Sequence, residues 1–228
     1  MWDKLSVPWR LCLEQAWQAY CADTIPIGAV IVAPNNTVIA AGRNHVYEEG
    51  TTHPLAGSII AHAEIEALLQ LRSADPNRGS YYLYTSVEPC SLCCGAIYLS
   101  GIRGVHYASP DSYAGGTNAF GSAPSLSRHF VEVHGPDPTI GALALTLIID
   151  RFLQLPVRSS LDWRREFWLK DSPQAVALAH QTHRQGALKT AIREAWPVSE
   201  VINYLNSELQ NVGGISSNRA INTKPPVN

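Results

Sequence analysis

A split motif in the first half of the chain carries residue types that can bind a metal ion. His62 and Glu64 lie two positions apart, and Cys90 and Cys93 lie three apart directly after Pro89. Zinc takes nitrogen and sulfur ligands in a tetrahedron, and a catalytic zinc keeps one of its four positions open. The candidate ligands are therefore His62, Cys90 and Cys93, and the predicted cofactor is one Zn²⁺ per chain.

The carboxylate of Glu64 is placed to move protons beside that metal. Zinc makes hydroxide available from water near neutral pH, and a neighbouring carboxylate can take up the proton and pass it on. The combination suits attack of water on an amine-bearing ring carbon, from which ammonia leaves. We therefore predict a hydrolytic deaminase with Glu64 as its catalytic residue.

Flanking residues predict the elements that hold the motif. The apolar spacing over residues 63–71 predicts a helix that begins just after His62. Pro89 suits the entry to a second helix, whose positive N-terminal end would favour thiolates. Between the two helices, residues 81–85 are rich in aromatic and β-prone side chains and predict a strand. The ligands should thus lie at two helix N-termini.

A closed structural zinc site or a buried cysteine pair would use the same residues. Cys94 is the spare thiol, but a helix turns it about 100° away from Cys93, so we expect a small buried residue rather than a fourth ligand. The total of five cysteines is odd and three of them cluster at the motif. This usage argues against a disulfide framework and favours a reducing, cytoplasmic setting.

A resemblance to a known family rests on four segments, which are residues 25–32, 42–44, 62–65 and 88–97, with Asp111 after the following strand. The stretch resembles the cytidine/deoxycytidylate deaminase superfamily, and within it the branch of tRNA adenosine deaminases and guanine deaminases. The resemblance implies a three-layer α/β/α fold with a mixed sheet of about five strands, in a homodimer or larger oligomer. It also implies that Asn44 contacts the substrate base, and we expect the backbone of Ala63 to help orient the ring.

Composition divides the chain into three predicted parts. Residues 1–135 form the zinc-dependent deaminase core, residues 136–212 a helical extension packed on that core, and residues 213–228 a mobile tail rich in Gly, Ser, Asn and Pro. We expect Thr139 to cap the first helix of the extension and Pro156 to end it. The extension is predicted to close one side of the substrate pocket. His45 and His53 fall in a long loop before the metal helix and are most simply polar loop residues.

Charge and hydropathy favour a small substrate. The formal net charge is −2, whereas a tRNA-binding protein should show a basic footprint. The extension carries several cations interspersed with acids, a pattern typical of a solvated surface; these cations are Arg158, Arg164, Arg165, Lys170, Arg184, Lys189 and Arg193. No apolar run reaches 18 residues, so we predict no membrane partner.

The predicted substrate is therefore a small-molecule base or nucleoside, with a purine of the guanine or adenine type favoured. Two alternatives stay open, which are a tRNA adenosine-to-inosine deaminase and an inactive zinc-bearing scaffold subunit. The intact Glu64 argues against the scaffold. An aromatic side chain should stack on the base, and the candidates are Tyr113, Phe120 and His53.

Overall fold

The computed structural model describes residues 1–155 and 161–219, and it has a mixed five-stranded sheet at its centre. The strands are β1 (Gly28–Val32), β2 (Val38–Arg43), β3 (Tyr82–Val87), β4 (Gly104–Ser109) and β5 (Glu132–His134). Their order is β2-β1-β3-β4-β5; β1 pairs antiparallel with β2 and with β3, and the other pairs are parallel. The predicted α/β class with about five strands is confirmed.

Helices cover both faces of this sheet. They are α1 (Val7–Cys21), α2 (Ala63–Leu69), α3 (Ser91–Ser100), α4 (Pro138–Gln154), α5 (Leu161–Asp171), α6 (Pro173–Gln185), α7 (Ala187–Arg193) and α8 (Val198–Arg219). Alternate residues of β1 point to opposite faces. Ile31 packs in the cluster that contains α2 and α3, whereas Val30 packs against Cys12 of α1.

Two glycines let helices approach the sheet closely. A Cβ at Gly28 would lie 2.2 Å from the carbonyl oxygen of Cys12 on α1, and a Cβ at Gly42 would lie 2.4 Å from the carbonyl oxygen of Ala63 on α2. Neither position has room for a side chain. The helix that contains Glu64 is therefore seated directly on β2.

Helices that follow residue 136 share a hydrophobic core with the N-terminal helix. The largest buried cluster joins α1, α4, α6, α7 and α8 to Ala108 of β4. A buried polar network reinforces it: the carboxylate of Asp150 on α4 accepts hydrogen bonds from Tyr20 of α1, from Gln154 at 2.8 Å and from Thr182 of α6. The extension therefore packs over the sheet through both apolar and polar contacts.

The ends of the extension differ in detail from the expectations. Asp137, not Thr139, caps α4, and its carboxylate accepts the backbone N–H groups of Thr139 and Ile140. Asp137 fits this role because a short carboxylate reaches the free N–H groups of the first turn. Helix α8 continues to Arg219, beyond position 213 where we expected the tail to begin. Pro156, Arg158 and the tail residues 220–228 lie outside the described residues.

None of the helices within residues 1–155 and 161–219 has the length and apolarity needed to cross a bilayer.

Candidate active site

The motif residues meet at two helix N-termini, as predicted. His62 is the N-cap residue of α2 and Cys90 is the N-cap residue of α3, with Cys93 in the first turn of the same helix. Strand β3 lies between these helices in the chain and pairs with β1 and β4, which places the two N-termini at one end of the sheet. Segments 28 residues apart in sequence are thereby brought into contact.

Distances within the triad match a tetrahedral zinc site. His62 Nδ1 lies 3.5 Å from Cys90 Sγ and 3.4 Å from Cys93 Sγ, and the two sulfurs are 3.6 Å apart. Ideal tetrahedral bonds would separate nitrogen and sulfur by about 3.6 Å and two sulfurs by about 3.8 Å. The three side chains therefore fit a zinc ion without rearrangement.

The triad also favours negative charge at sulfur. A hydrogen bond from Cys93, followed by one from His62, lowers the pKa of the Cys90 thiol to about 4. The pKa of Cys93 is raised, first by its hydrogen bond with Cys90 and then by burial. The two shifts run in opposite directions, so Cys90 is the thiol that gives up its proton more readily to a metal ion.

Glu64 is buried beside the triad. Its side chain is 4% exposed, Thr85 of β3 donates a hydrogen bond to Oε1 at 2.8 Å, and Oε2 lies 3.4 Å from Cys93 Sγ. Burial is the main cause that raises the pKa of this carboxyl group, while hydrogen bonds partly oppose the shift. A carboxyl group with a raised pKa is suited to take up and release a proton near neutral pH.

A cleft of about 200 Å³ opens over His62, Cys90 and Glu64. On the same measure one water molecule needs about 10–15 Å³, so the cleft has room for a ring compound. The wall on the core side comes from Ile25, Ile27, Val87, Glu88, Pro110, Asp111, Tyr113 and Ala114. The wall on the extension side comes from Leu145, Ile148, Phe152, Arg164, Phe167, Trp168 and Asp171.

Comparison with known proteins places this site in a family. The profile of the cytidine and deoxycytidylate deaminase zinc-binding region matches residues 4–109. A probable cytosine deaminase of Schizosaccharomyces pombe is 32% identical over 138 residues, which cover 56% of this chain and 80% of that protein. The chain belongs to the cytidine and deoxycytidylate deaminase family. Zinc is accordingly its cofactor, and its chemistry is hydrolytic deamination.

Other relatives of this deaminase differ in their named substrates. A tRNA-specific adenosine deaminase of Haemophilus influenzae is 33% identical over 141 residues, which cover 59% of this chain and 73% of that protein. A guanine deaminase of Bacillus subtilis is 42% identical over 89 residues, but these cover 37% of this chain and half of that protein. A solved structure in complex with 2,6-diaminopurine aligns at 25% identity and a TM-score of 0.51, over 67% of this chain and 85% of that one.

Both residues predicted to orient the substrate ring are buried in this deaminase. Asn44 is 1% exposed, and its Oδ1 accepts hydrogen bonds from Thr24 Oγ1 and from the backbone N–H of Val46, each at 2.9 Å. These two hydrogen bonds use only Oδ1, so the side-chain NH₂ group of Asn44 is the group that would donate a hydrogen bond to a substrate. Ala63 is fully buried as the first residue of α2, where a backbone N–H has no partner within the helix. Neither residue is among the described lining of the cleft, so both base contacts stay predictions.

The sequence pattern predicted only part of the cleft lining. Of the three stacking candidates, Tyr113 lines the cleft, whereas Phe120 is partly buried against the cluster that contains α2 and α3, and His53 contacts Glu66. The aromatic residues of the extension, Phe152, Phe167 and Trp168, were not recognised as part of the site. Their helical spacing was visible in the sequence, but such a pattern is equally typical of core packing.

Glu88 lines the cleft and holds the loop after β4. Its carboxylate accepts the backbone N–H of Asp111 at 3.3 Å and of Thr117 at 3.2 Å, which ties down the loop after β4. A Cβ at Gly115 would lie 2.4 Å from Glu88, so this loop needs glycine there. Cys94, by contrast, is buried and donates to the carbonyl oxygen of Pro89 at 3.4 Å, as expected for a packing residue.

Proposed function

We propose that this chain deaminates a small amino-substituted base or nucleoside, with a purine favoured, and that His62, Cys90 and Cys93 bind its zinc. The main evidence for the substrate class is the set of aromatic side chains that the extension places along the cleft. Phe152 and Trp168 lie with ring centroids 5.8 Å apart, and Phe167 meets Tyr113 at 5.5 Å. Aromatic side chains of this kind can stack on a planar ring, because every nucleobase presents a π-face.

Hydrogen-bonding groups of the cleft complement an amino-substituted ring. Asp111 forms a turn in which Oδ1 accepts the backbone N–H groups of Tyr113 and Ala114, each at 3.0 Å. Asp111 lines the cleft, and its Oδ2 is the oxygen that these two hydrogen bonds do not use. Carboxylate oxygens accept hydrogen bonds from ring N–H and amino groups. A purine of the guanine type has several such donors. The guanine deaminase relative and the complex with 2,6-diaminopurine support the same preference.

Zinc bound to the triad would supply an activated water near neutral pH. Within the protein, Glu64 carries the protons: Thr85 holds Oε1, so Oε2 on the side of the sulfurs is the atom that takes and returns the proton. Glu64 would pass the first proton of water to the ring nitrogen, then take the second proton from the hydroxyl group added to the ring carbon and give it to the amine, which leaves as ammonia with the oxo product behind. The apolar walls keep bulk water from the reacting atoms.

Charge in the cleft weighs against a phosphate-rich substrate. Four carboxylates line it, from Glu64, Glu88, Asp111 and Asp171, against one guanidinium from Arg164. RNA binding depends mainly on phosphate contacts to cations. The relative named as a tRNA-specific adenosine deaminase keeps tRNA as the second candidate, with the cations of the extension as its contact surface.

The test is ammonia release from a panel of bases, nucleosides and an anticodon stem-loop, with zinc-loaded protein. Release from one small purine, absent in Glu64→Ala, would establish the proposal. Release from the stem-loop alone would replace it with the tRNA reaction.

An inactive scaffold is distinguished by the same experiment. Protein that holds zinc at the triad but releases ammonia from none of these compounds would favour that alternative. The hydrogen bond that Thr85 donates to Glu64 supports an active enzyme, because it orients a carboxylate that a scaffold would not need.

A further inference from the structure

A second cluster of metal-binding side chains lies outside the cleft, between the loop after β2 and helix α2. The rings of His45 and His53 stack with centroids 3.9 Å apart and an angle of 6° between their planes. Nε2 of each ring lies 3.1 Å from Oε1 of Glu66. These three donor atoms all lie within 4.8 Å of one another. The fold therefore joins two histidines that the sequence presented only as loop residues.

His45 has an unusual environment for a buried histidine. Its side chain is 1% exposed, and its Nδ1 is hydrogen-bonded to the carboxylate of Glu48. Its Nε2 has no hydrogen-bond partner, because the approach to Glu66 is close but not directed along the ring N–H. A carboxylate on one ring nitrogen and an unsatisfied second nitrogen is the arrangement of metal-binding histidines, in which the carboxylate orients the ring.

Arg43 holds both carboxylates in place. Its backbone N–H donates to Oε2 of Glu66 at 2.6 Å, and its guanidinium donates to Oε1 of Glu48 at 2.9 Å. Oε1 of Glu66 is thereby directed at the two imidazoles. Two ligand atoms bound to one metal at about 2.0–2.1 Å lie about 2.9–3.4 Å apart, and the two nitrogen–oxygen distances of 3.1 Å fall in this range.

We propose that His45, His53 and Glu66 form a second metal site, which binds a divalent transition-metal ion of the zinc type. Two imidazoles and one carboxylate suit such an ion, and the site has no thiolate, unlike the triad. The backbone N–H of Leu55 donates to His53 Nδ1 at 3.3 Å. This long hydrogen bond would be lost on metal binding. A metal at Nε2 leaves the ring proton on Nδ1, which can then no longer accept a hydrogen bond.

The ion would connect the loop to the catalytic helix. His45 follows Asn44 directly, and Glu66 lies one helical turn after His62, whose carbonyl oxygen accepts the Glu66 N–H at 3.0 Å. A metal shared by His45 and Glu66 would hold the segment of Asn44 against the start of α2. The second metal would therefore fix the positions of residues around the active site and would not contact the reacting atoms.

Metal content of the full chain tests the proposal. Wild type, His53→Ala and the control His134→Ala are equilibrated with micromolar zinc, freed of unbound metal and assayed for zinc per chain. We expect two ions in wild type and in His134→Ala, whose side chain is 49% exposed on β5, but one in His53→Ala. One ion in wild type, or two in His53→Ala, would overturn the second site.

Cobalt substitution shows which site is filled. A thiolate-to-cobalt charge-transfer band reports the triad alone, so it should persist in His53→Ala while one equivalent of cobalt is lost. Because a shortened side chain could disturb the loop, His53→Asp provides a second variant that restores an oxygen ligand. Recovery of the second ion in His53→Asp supports direct ligation, and failure to recover it counts against it.

Discussion

The carboxylate of Asp171, at the end of α5, accepts a hydrogen bond from the backbone N–H of Ser112 at 3.1 Å and another from the Ser112 hydroxyl. Ser112 lies in the loop that follows β4 and precedes Gly115, which is packed against Glu88. This one side chain links the extension to the loop that walls the cleft. It explains how helices outside the family's zinc-binding region can shape substrate access.

Replacing that carboxylate should weaken substrate binding more than chemistry. Hydrogen bonds to a charged group contribute about 1.5–3 kcal/mol, and partial exposure reduces the effect here. We expect Asp171→Ala to raise KM about tenfold, which corresponds to about 1.4 kcal/mol, while kcat changes little. Asp171→Asn, which keeps one acceptor, should give an intermediate KM. Equal KM values for all three proteins would contradict this role of the loop anchor.

Replacing Glu64, the proposed proton carrier, should abolish turnover but spare the metal. Glu64→Gln retains an oxygen that can accept the Thr85 hydrogen bond but cannot exchange a proton. Positioned acid–base groups contribute about 10²–10⁴-fold to rates, so kcat should fall by at least about 100-fold with zinc content unchanged. In wild type, the raised pKa of Glu64 should move the acid limb of kcat/KM above the pH expected for an exposed glutamate. Retained activity in the variant would exclude Glu64 as the proton carrier.

Trp168 should contribute to both the cleft and the packing of the extension. Its ring lines the cleft and packs against Phe152. Because stacking contributes about 1–3 kcal/mol per base, Trp168→Ala should raise KM by about 5- to 150-fold, and Trp168→Phe should retain most of the affinity. The neighbouring Leu169 is 40% exposed, so Leu169→Ala is the matched control. A KM for Trp168→Ala that equals the control value would show that Trp168 does not contribute to substrate binding.

Acid should destabilise the protein through His106 on β4. Burial, and next the charge of His134, lower the pKa of His106 to about 4. His106 stacks between Tyr84 and His134, with Glu132 nearby as an opposing charge. The unfolded chain, whose histidine has a pKa of about 6.5, binds the proton first. His106 therefore contributes stability above about pH 6.5 that is lost as pH falls through about 4.

His106→Phe keeps the stacked ring and removes the titration. We expect the free energy of unfolding of wild type to fall more steeply from pH 6.5 to 4 than that of the variant, as measured by urea denaturation. Parallel curves for the two proteins would show that His106 does not contribute to the acid sensitivity.

Chelation should lower thermal stability through the triad. A ligand that binds only the folded state stabilises it by mass action, and the triad geometry is already formed. We expect the melting temperature to fall on addition of a strong chelator and to recover with zinc. Cys90→Ser should reduce this response, and Cys94→Ser should leave it intact. A full response in Cys90→Ser would place the stabilising ion elsewhere.

Local sequence was sufficient to predict which residues meet at the centre of this site. His62 and Glu64 precede an apolar helical pattern, and Cys90 and Cys93 follow a helix-entry proline, so spacing alone predicts which atoms share a helix end. Residue type then limits the chemistry, since imidazole and thiolate donors select zinc. The strand between these motifs, β3, follows from its aromatic and β-prone composition, which is also a local property.

Only the tertiary structure decided what surrounds that centre. The spacing of Phe152 and Trp168 shows that they face an apolar surface, but it does not reveal which surface, because packing partners far apart in the chain are chosen by the shapes of whole faces. The same holds for His45, His53 and Glu66, which meet because α2 packs directly on Gly42 of β2. The sequence thus determines the reaction centre, while the cleft wall and the second cluster depend on how the helices pack on the sheet.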